Sequence, residues 1–145
     1  MNNTLDLTQS DIDRFWTKVD KTPTCWDWTV KPDTGYGRFG AQGRTLLAHR
    51  VAHTLAGRSI PNGLQVDHLC RNRRCVNPDH LDVVSVAENV LRGDGISARN
   101  ARKTHCHRGH PLEGDNLYIT PSGNRNCIKC QRQRVRDHRR RQVAA

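Results

Sequence analysis

Aromatic side chains are scarce in this 145-residue chain: three Trp, two Tyr and two Phe, 5% of the residues. Apolar residues make up only 34%, below the share usual in globular proteins. A chain this size and this polar struggles to bury enough surface by itself, so a covalent or metal staple is expected. No apolar run approaches the roughly 20 residues of a membrane span, and the N-terminus lacks a basic-then-apolar leader pattern. The expectation is a soluble, cytoplasmic protein (bacterial or phage-encoded, nuclear if eukaryotic) with no membrane partner. Acidic residues are sparse toward the C-terminus. Residues 99–145 hold 12 Lys/Arg against 3 Asp/Glu, whereas residues 1–98 are nearly balanced at 12 against 11. The net charge of +10 is therefore an arm at one end, and it predicts a polyanionic partner.

What the chain does have is six cysteines and eight histidines. In a reducing compartment, closely spaced Cys and His are metal ligands rather than disulfides. Cys70, Cys75 and His80 lie within eleven residues, each separated from the next by four, and Cys25, beside two Trp, is the natural fourth ligand. A Cys₃His set of this kind is closed and structural. A second set, Cys106-x₃-His110-x₁₆-Cys127-x₂-Cys130, has two close pairs separated by a turn-rich loop. His105, His107 and His138 compete for its histidine position. His110 is preferred because its spacing brackets a knuckle and Pro111 turns the chain after it. Two structural Zn²⁺ ions would supply the folding free energy that the core lacks.

Ser10 is a candidate cap for a helix starting at Asp11, with Ile12, Phe15, Trp16 and Val19 as its apolar stripe and Pro23 as its stop. Cys25 to Val30 alternates as a strand, and Lys31 to Gly35 is a turn by composition. Tyr36 to Phe39 is extended, Gly40 to Gly43 turns, and Arg44 to Leu47 forms a further strand. Ala48 to Ala56 reads as a helix stopped by Gly57. Leu64 to Leu69 alternates with His68 on the face of Leu64 and Val66. After the basic loop at Arg71 to Arg74 comes a second short strand, Leu81 to Val84. Ser85 and Glu88 then form a capping box for a helix ending before Gly93. The result is a ββα unit with His68 on its first strand and Asn89 on its helix.

Phosphodiester hydrolysis needs an activated water, a cation on the phosphate oxygens and stabilisation of the leaving oxygen. A histidine and a nearby oxygen ligand can serve the first two, and Asp67, beside His68, adds a carboxylate. Few, hard oxygen ligands favour Mg²⁺ or a similar divalent ion.

The segment VDHLCRNRRCVNPDHLDVVSVAENVLRG resembles the HNH, or His-Me finger, endonucleases, and is most similar to their zinc-containing His-Cys box homing branch. The lead-in GYGRFGAQGRTLLAHRVAH is also similar. The resemblance implies an α+β fold with a ββα-metal (His-Me finger) core stapled by structural zinc. It implies His68 as general base, Asn89 as ligand of the catalytic divalent metal, and Cys25, Cys70, Cys75 and His80 around one zinc. Asp67 departs from the His-Cys box pattern but matches other HNH nucleases, and is a candidate second ligand. The family's arginine near the scissile phosphate matches Arg44 best, ahead of Arg38 and Arg50. The implied activity is a metal-dependent DNA endonuclease of homing or phage type, leaving 5′-phosphate and 3′-hydroxyl ends. The implied partner is double-stranded DNA, bound by a homodimer, although no interface stripe is legible.

Cys130 leads into Gln131 to Arg141, which holds six arginines. Such a run contacts phosphates without reading sequence. The nucleic-acid candidates are Arg38, Arg71, Arg73, Arg74, Arg132, Arg134, Arg136, Arg139 and Arg140. The chain thus divides into a lead-in (1–24), a nuclease core (25–93), a linker (94–104) and a C-terminal zinc module with a basic tail (105–145). A non-catalytic zinc-finger regulator is the rival reading. It accounts for the zinc sets and the charge but not for His68 and Asn89 at nuclease spacing.

Overall fold

The computed structural model describes residues 5–30 and 35–143, so most of the turn expected at Lys31 to Gly35 lies outside the described residues. The chain forms two compact units, Met1–Asn89 and Val90–Ala145.

The first unit opens with α1 (Gln9–Trp16). Its cap is Thr8, not Ser10: the Thr8 hydroxyl accepts from the Asp11 N–H while the Asp11 carboxylate receives the Thr8 N–H, a reciprocal capping box. The helix also ends sooner than the apolar stripe suggests. Val19 belongs to β1 (Val19–Lys21), which pairs antiparallel with β2 (Trp26–Trp28), Val19 opposite Trp28. The turn at Thr22–Cys25 returns the chain through paired Thr22 and Cys25 hydrogen bonds, and a three-residue strand has too little alternation to be seen beforehand. β3 (Arg38–Ala41) and β4 (Arg44–Leu47) form a hairpin. Its two-residue turn, Gln42-Gly43, has both φ angles positive, at 54° and 67°, as the twist of a tight hairpin demands. α2 (Ala48–Leu55) follows directly.

These elements enclose the core: Phe15, Trp28, Phe39, Ala41, Ala48, Val51, Ala52 and Val76, with Trp16 and Trp26 half-buried against it. Five of the seven aromatics of the chain gather here. Phe15 sits at the centre, its ring 5.0, 5.1 and 5.2 Å from Trp16, Trp28 and Phe39. Edge-to-face and tilted pairs at this range add to their area burial. The scarcity of aromatics is offset by putting most of them in one cluster.

β5 (Leu64–His68) and β6 (Leu81–Ser85) then pair antiparallel, Asp67 opposite Asp82 and His68 opposite Leu81. α3 (Val86–Arg92) starts at once, its Glu88 N–H bound by the Ser85 hydroxyl at 3.1 Å. This is the ββα unit.

The second unit contains α4 (Ile96–Arg102), the hairpin of β7 (Leu117–Ile119) with β8 (Arg125–Cys127), and α5 (Ile128–Val143). The segment read as a linker therefore carries a helix. Arg125 holds its end, donating to the carbonyls of Asn100, Ala101 and Lys103 at 2.7–3.0 Å. Carbonyls at the end of a helix run short of intrahelical donors, and a guanidinium from a distant strand supplies one here. No local pattern announces such a cap. No described helix is long and apolar enough to cross a membrane.

One contact in the first unit is tight enough to test. A Cβ added at Gly37 would stand 2.7 Å from the Trp28 ring and 3.0 Å from Ala48 Cβ, and Trp28 is fully buried. Gly37→Ala should lower the unfolding free energy by about 1–3 kcal/mol, read from urea denaturation. An unchanged midpoint would show that Trp28 can move aside.

Candidate active site

The loop after β5 is sewn to β2 along its length. The Trp28 N–H donates to Arg74 O at 2.9 Å and the Val76 N–H to Trp26 O at 2.7 Å. Asn72 donates to the Asp27 carboxylate at 2.6 Å. Arg74 clamps the Trp28 carbonyl with Nε and Nη2, at 3.2 and 2.9 Å. These bonds bring Cys25, beside β2, to the loop cysteines. Asn77 caps the 3₁₀ turn Pro78–His80, its side chain accepting from the Asp79 N–H, and Arg58 holds the same turn through Pro78 O and Asp79. The turn aims His80 Nδ1 at 3.8 Å from Cys25 Sγ and 3.6 Å from Cys75 Sγ.

Cys25, Cys70, Cys75 and His80 thus form one ligand group, and Cys106, His110, Cys127 and Cys130 a second, the donor atoms of each lying within 4.8 Å of one another. In the second group, His110 Nδ1 is 3.5, 3.6 and 3.3 Å from the sulfurs of Cys106, Cys127 and Cys130. Tetrahedral zinc at usual bond lengths separates its ligand atoms by about 3.5–3.8 Å, so both sets fit the ion. His110, rather than His105, His107 or His138, is the histidine of the second group. All six cysteines are free thiols. Burial pushes the Cys75 thiol up to about 12, so a cation in that cluster would supply the charge a buried thiolate needs.

His68 is buried at the end of β5. Its Nε2 lies 3.0 Å from the backbone oxygen of Cys75. A carbonyl only accepts, so Nε2 carries the hydrogen and Nδ1 holds the lone pair. Burial lowers the His68 pKa below its ordinary 6.5, outweighing the opposing hydrogen bond to Cys75 and the charge of Asp67. The ring is therefore neutral, with one nitrogen ready to take a proton.

Asn89, on α3, reaches back to β5. Its Nδ2 donates to Gln65 Oε1 at 2.7 Å, which leaves its carbonyl oxygen as an acceptor. Gln65 and Asp67 share a face by strand alternation. Asp67 is buried with Arg71 3.3 Å away. His68 and Asn89 make no direct hydrogen bond.

Other candidates are placed differently. Arg38 and Arg44 are exposed on β3 and β4. Arg73 stands over Tyr36 at 5.4 Å, and Tyr36 lies 5.8 Å from the His68 ring. That puts Arg73 among the groups that surround the histidine. Sequence reasoning missed Tyr36, Gln65 and His49. His49 is 4% exposed on α2, its ring 4.7 Å from that of His68, and its Nδ1 has no hydrogen-bond partner among the described residues. Burial first, and then the neighbouring His68, bring its pKa down to about 3. The only prior signal was a histidine four residues before another, His53, on an amphipathic helix.

The ββα unit thus carries a buried histidine at the end of its first strand, and three of the four Cys/His groups of one cluster lie in its loop. Residues 46–91 match the HNH endonuclease family. Among curated relatives, it is 29% identical over 96 residues to Protein 2.8 of Escherichia phage T7, covering 64% of this chain and 60% of that protein. It is 33% identical over 66 residues to Protein 7.7 of the same phage, covering 45% and 51%. An uncharacterized gene 5.3 protein of Enterobacteria phage T3 is 29% identical over 58 residues, covering 40% and 56%. The chain thus spans between half and two thirds of the lengths of these relatives. No solved structure matches.

Metal analysis of the purified protein should find about two zinc ions per chain, one for each ligand group. Cys75→Ser should reduce this to about one and abolish cooperative unfolding of the first unit. Two retained ions in that variant would refute the ligand assignment.

Proposed function

We propose that this protein is a metal-dependent endonuclease that hydrolyses phosphodiester bonds in double-stranded DNA, with His68 as general base. The observation that carries the reading is the bond from His68 Nε2 to the Cys75 carbonyl, which leaves Nδ1 as a fixed, neutral proton acceptor. Nδ1 takes a proton from water as the water oxygen attacks phosphorus. The Nε2–H stays on the carbonyl, so the imidazolium that forms keeps its orientation. The bond from phosphorus to the 3′ oxygen breaks, leaving 5′-phosphate and 3′-hydroxyl ends.

Asn89, through its carbonyl oxygen, and Asp67 would hold the divalent ion, and a donor set of hard oxygens suits Mg²⁺. When bound, such an ion neutralises phosphate charge and stabilises the leaving oxygen. Gln65 orients Asn89 for this role, and Arg71 offsets the charge of buried Asp67. Arg73 is the cation best set to meet a phosphate oxygen beside His68. Phage genome processing or homing would both use this chemistry, and the phage relatives favour a phage setting.

Plasmid nicking with Mg²⁺ tests the reading. His68→Ala should slow cleavage by about 10²–10⁴-fold while duplex affinity is kept. Asn89→Ala should act similarly and be partly relieved by raised Mg²⁺. Near-full cleavage by His68→Ala would remove it as the base. Tight duplex binding with no cleavage in any divalent metal would make the chain a non-catalytic zinc-finger protein.

A further inference from the structure

The second unit carries a surface that the nuclease chemistry does not use. Five of the seven cations of α5, namely Lys129, Arg132, Arg136, Arg139 and Arg140, recur at i, i+3, i+7, i+10 and i+11 and so fall on one side of the helix. Arg108, from the loop of the zinc-type knuckle, extends that side. Arg108, His110, Lys129, Arg132, Gln133 and Arg136 line a cleft of about 500 Å³ with no carboxylate in its wall. None of Arg108, Lys129, Arg132, Arg139 or Arg140 forms an ion pair among the described residues. Asp137, the one acid of α5, lies off the stripe and accepts from Gln133 at 2.7 Å.

Such a stripe costs the isolated helix. Arg132 and Arg136, and Arg136 and Arg140, are like charges four apart, which destabilises a helix. Packing does not compensate, because Cys130 is the only buried residue of α5. The backbone N–H of Lys129 is already taken by Asn116 at 2.9 Å, so attraction for an anion rests on the side chains. A dense line of negative charge would relieve this repulsion.

We infer that the Arg108–Lys129–Arg132–Arg136–Arg139–Arg140 stripe is a docking surface for the sugar-phosphate backbone of duplex DNA, holding substrate independently of the catalytic centre. This rests on the nucleic-acid reading above and adds the surface that supplies its affinity. From Lys129 to Arg140 the helix climbs about 16 Å. A duplex strand presents a phosphate about every 3.4 Å of axis, so about five phosphates lie along the stripe. Cations matched in number and span to the phosphates give affinity without base readout.

The test uses the full chain without added divalent cation and a fluorescent duplex of arbitrary sequence. Affinity is measured by anisotropy across a NaCl series. Each phosphate contact contributes about −0.9 to the slope of log K against log salt, so the wild type should give about −4 or steeper. The variant R108Q/K129Q/R132Q/R136Q should flatten the slope by about 3. The control R99Q/R141Q, one residue on α4 and one on the other side of α5, should change it by less than about 1. All substituted residues are exposed, and zinc content reports whether the module is intact. An unchanged slope in the quadruple variant, or an equal loss per cation in the control, would overturn the stripe. Plasmid nicking separates the two readings: a flattened slope without cleavage in any protein keeps the surface and rejects the nuclease. Mg²⁺-dependent cleavage with an unaltered slope does the reverse.

Discussion

Cys75 has two polar ends, and the first unit is organised around both. Its sulfur belongs to the Cys₃His group, and its carbonyl oxygen holds Nε2 of His68. A histidine on a short strand has no intrinsic tautomer or orientation, and here a backbone oxygen fixes both. That oxygen is placed by the loop, and the loop is placed by the bonds from Asn72, Arg74 and Val76 to β2 and by the ligand group that closes on Cys25. Removing the cluster would therefore loosen the loop and, through the Cys75 carbonyl, the proton acceptor. Structural and chemical roles meet at one residue because a backbone group and a side chain on the same Cα cannot move separately.

The core explains why such a staple is needed. Its large side chains lie among α1, β2, β3 and α2, centred on Phe15 and Trp28. The β5–β6 hairpin contributes only Val66, Leu81 and Val84 to the buried apolar set. An isolated two-stranded ribbon is marginal in water. The hairpin that carries His68 is held by what surrounds its loop more than by its own apolar face. Buried polar groups, His49, His53, Asp67 and His68, occupy positions that a stability-optimised core would fill with aliphatic side chains.

The second unit solves the same shortage differently. Its Cys₃His group, the Arg125 clamp on α4 and the Asn116 bond to α5 hold together a module with few buried apolar residues. Most of the positive charge of the chain resides there. The buried histidines and Asp67 lie in the first unit, whereas the exposed cations of α5 lie in the second, so each set has its own dielectric environment.

The sequence by itself determined both ligand groups, the ββα order and the paired candidates His68 and Asn89, because ligand spacing, strand alternation and capping are local properties of the chain. Cys25 was legible as the fourth ligand only because no other cysteine was left in the front half. The tertiary structure alone decided the rest. Thr8 rather than Ser10 caps α1, a choice the local pattern leaves open because Thr8 with Asp11 and Ser10 with Asp13 have the same capping-box spacing. Tyr36 and His49 meet His68 from elements distant in the chain, so no periodicity could show them. Gln65, on the strand with His68, orients Asn89 across 24 residues, and Arg125 caps a helix that composition made look like a linker. Each depends on where two separate segments come to rest, and that is set by packing and by the closure of the Cys/His groups rather than by any local pattern.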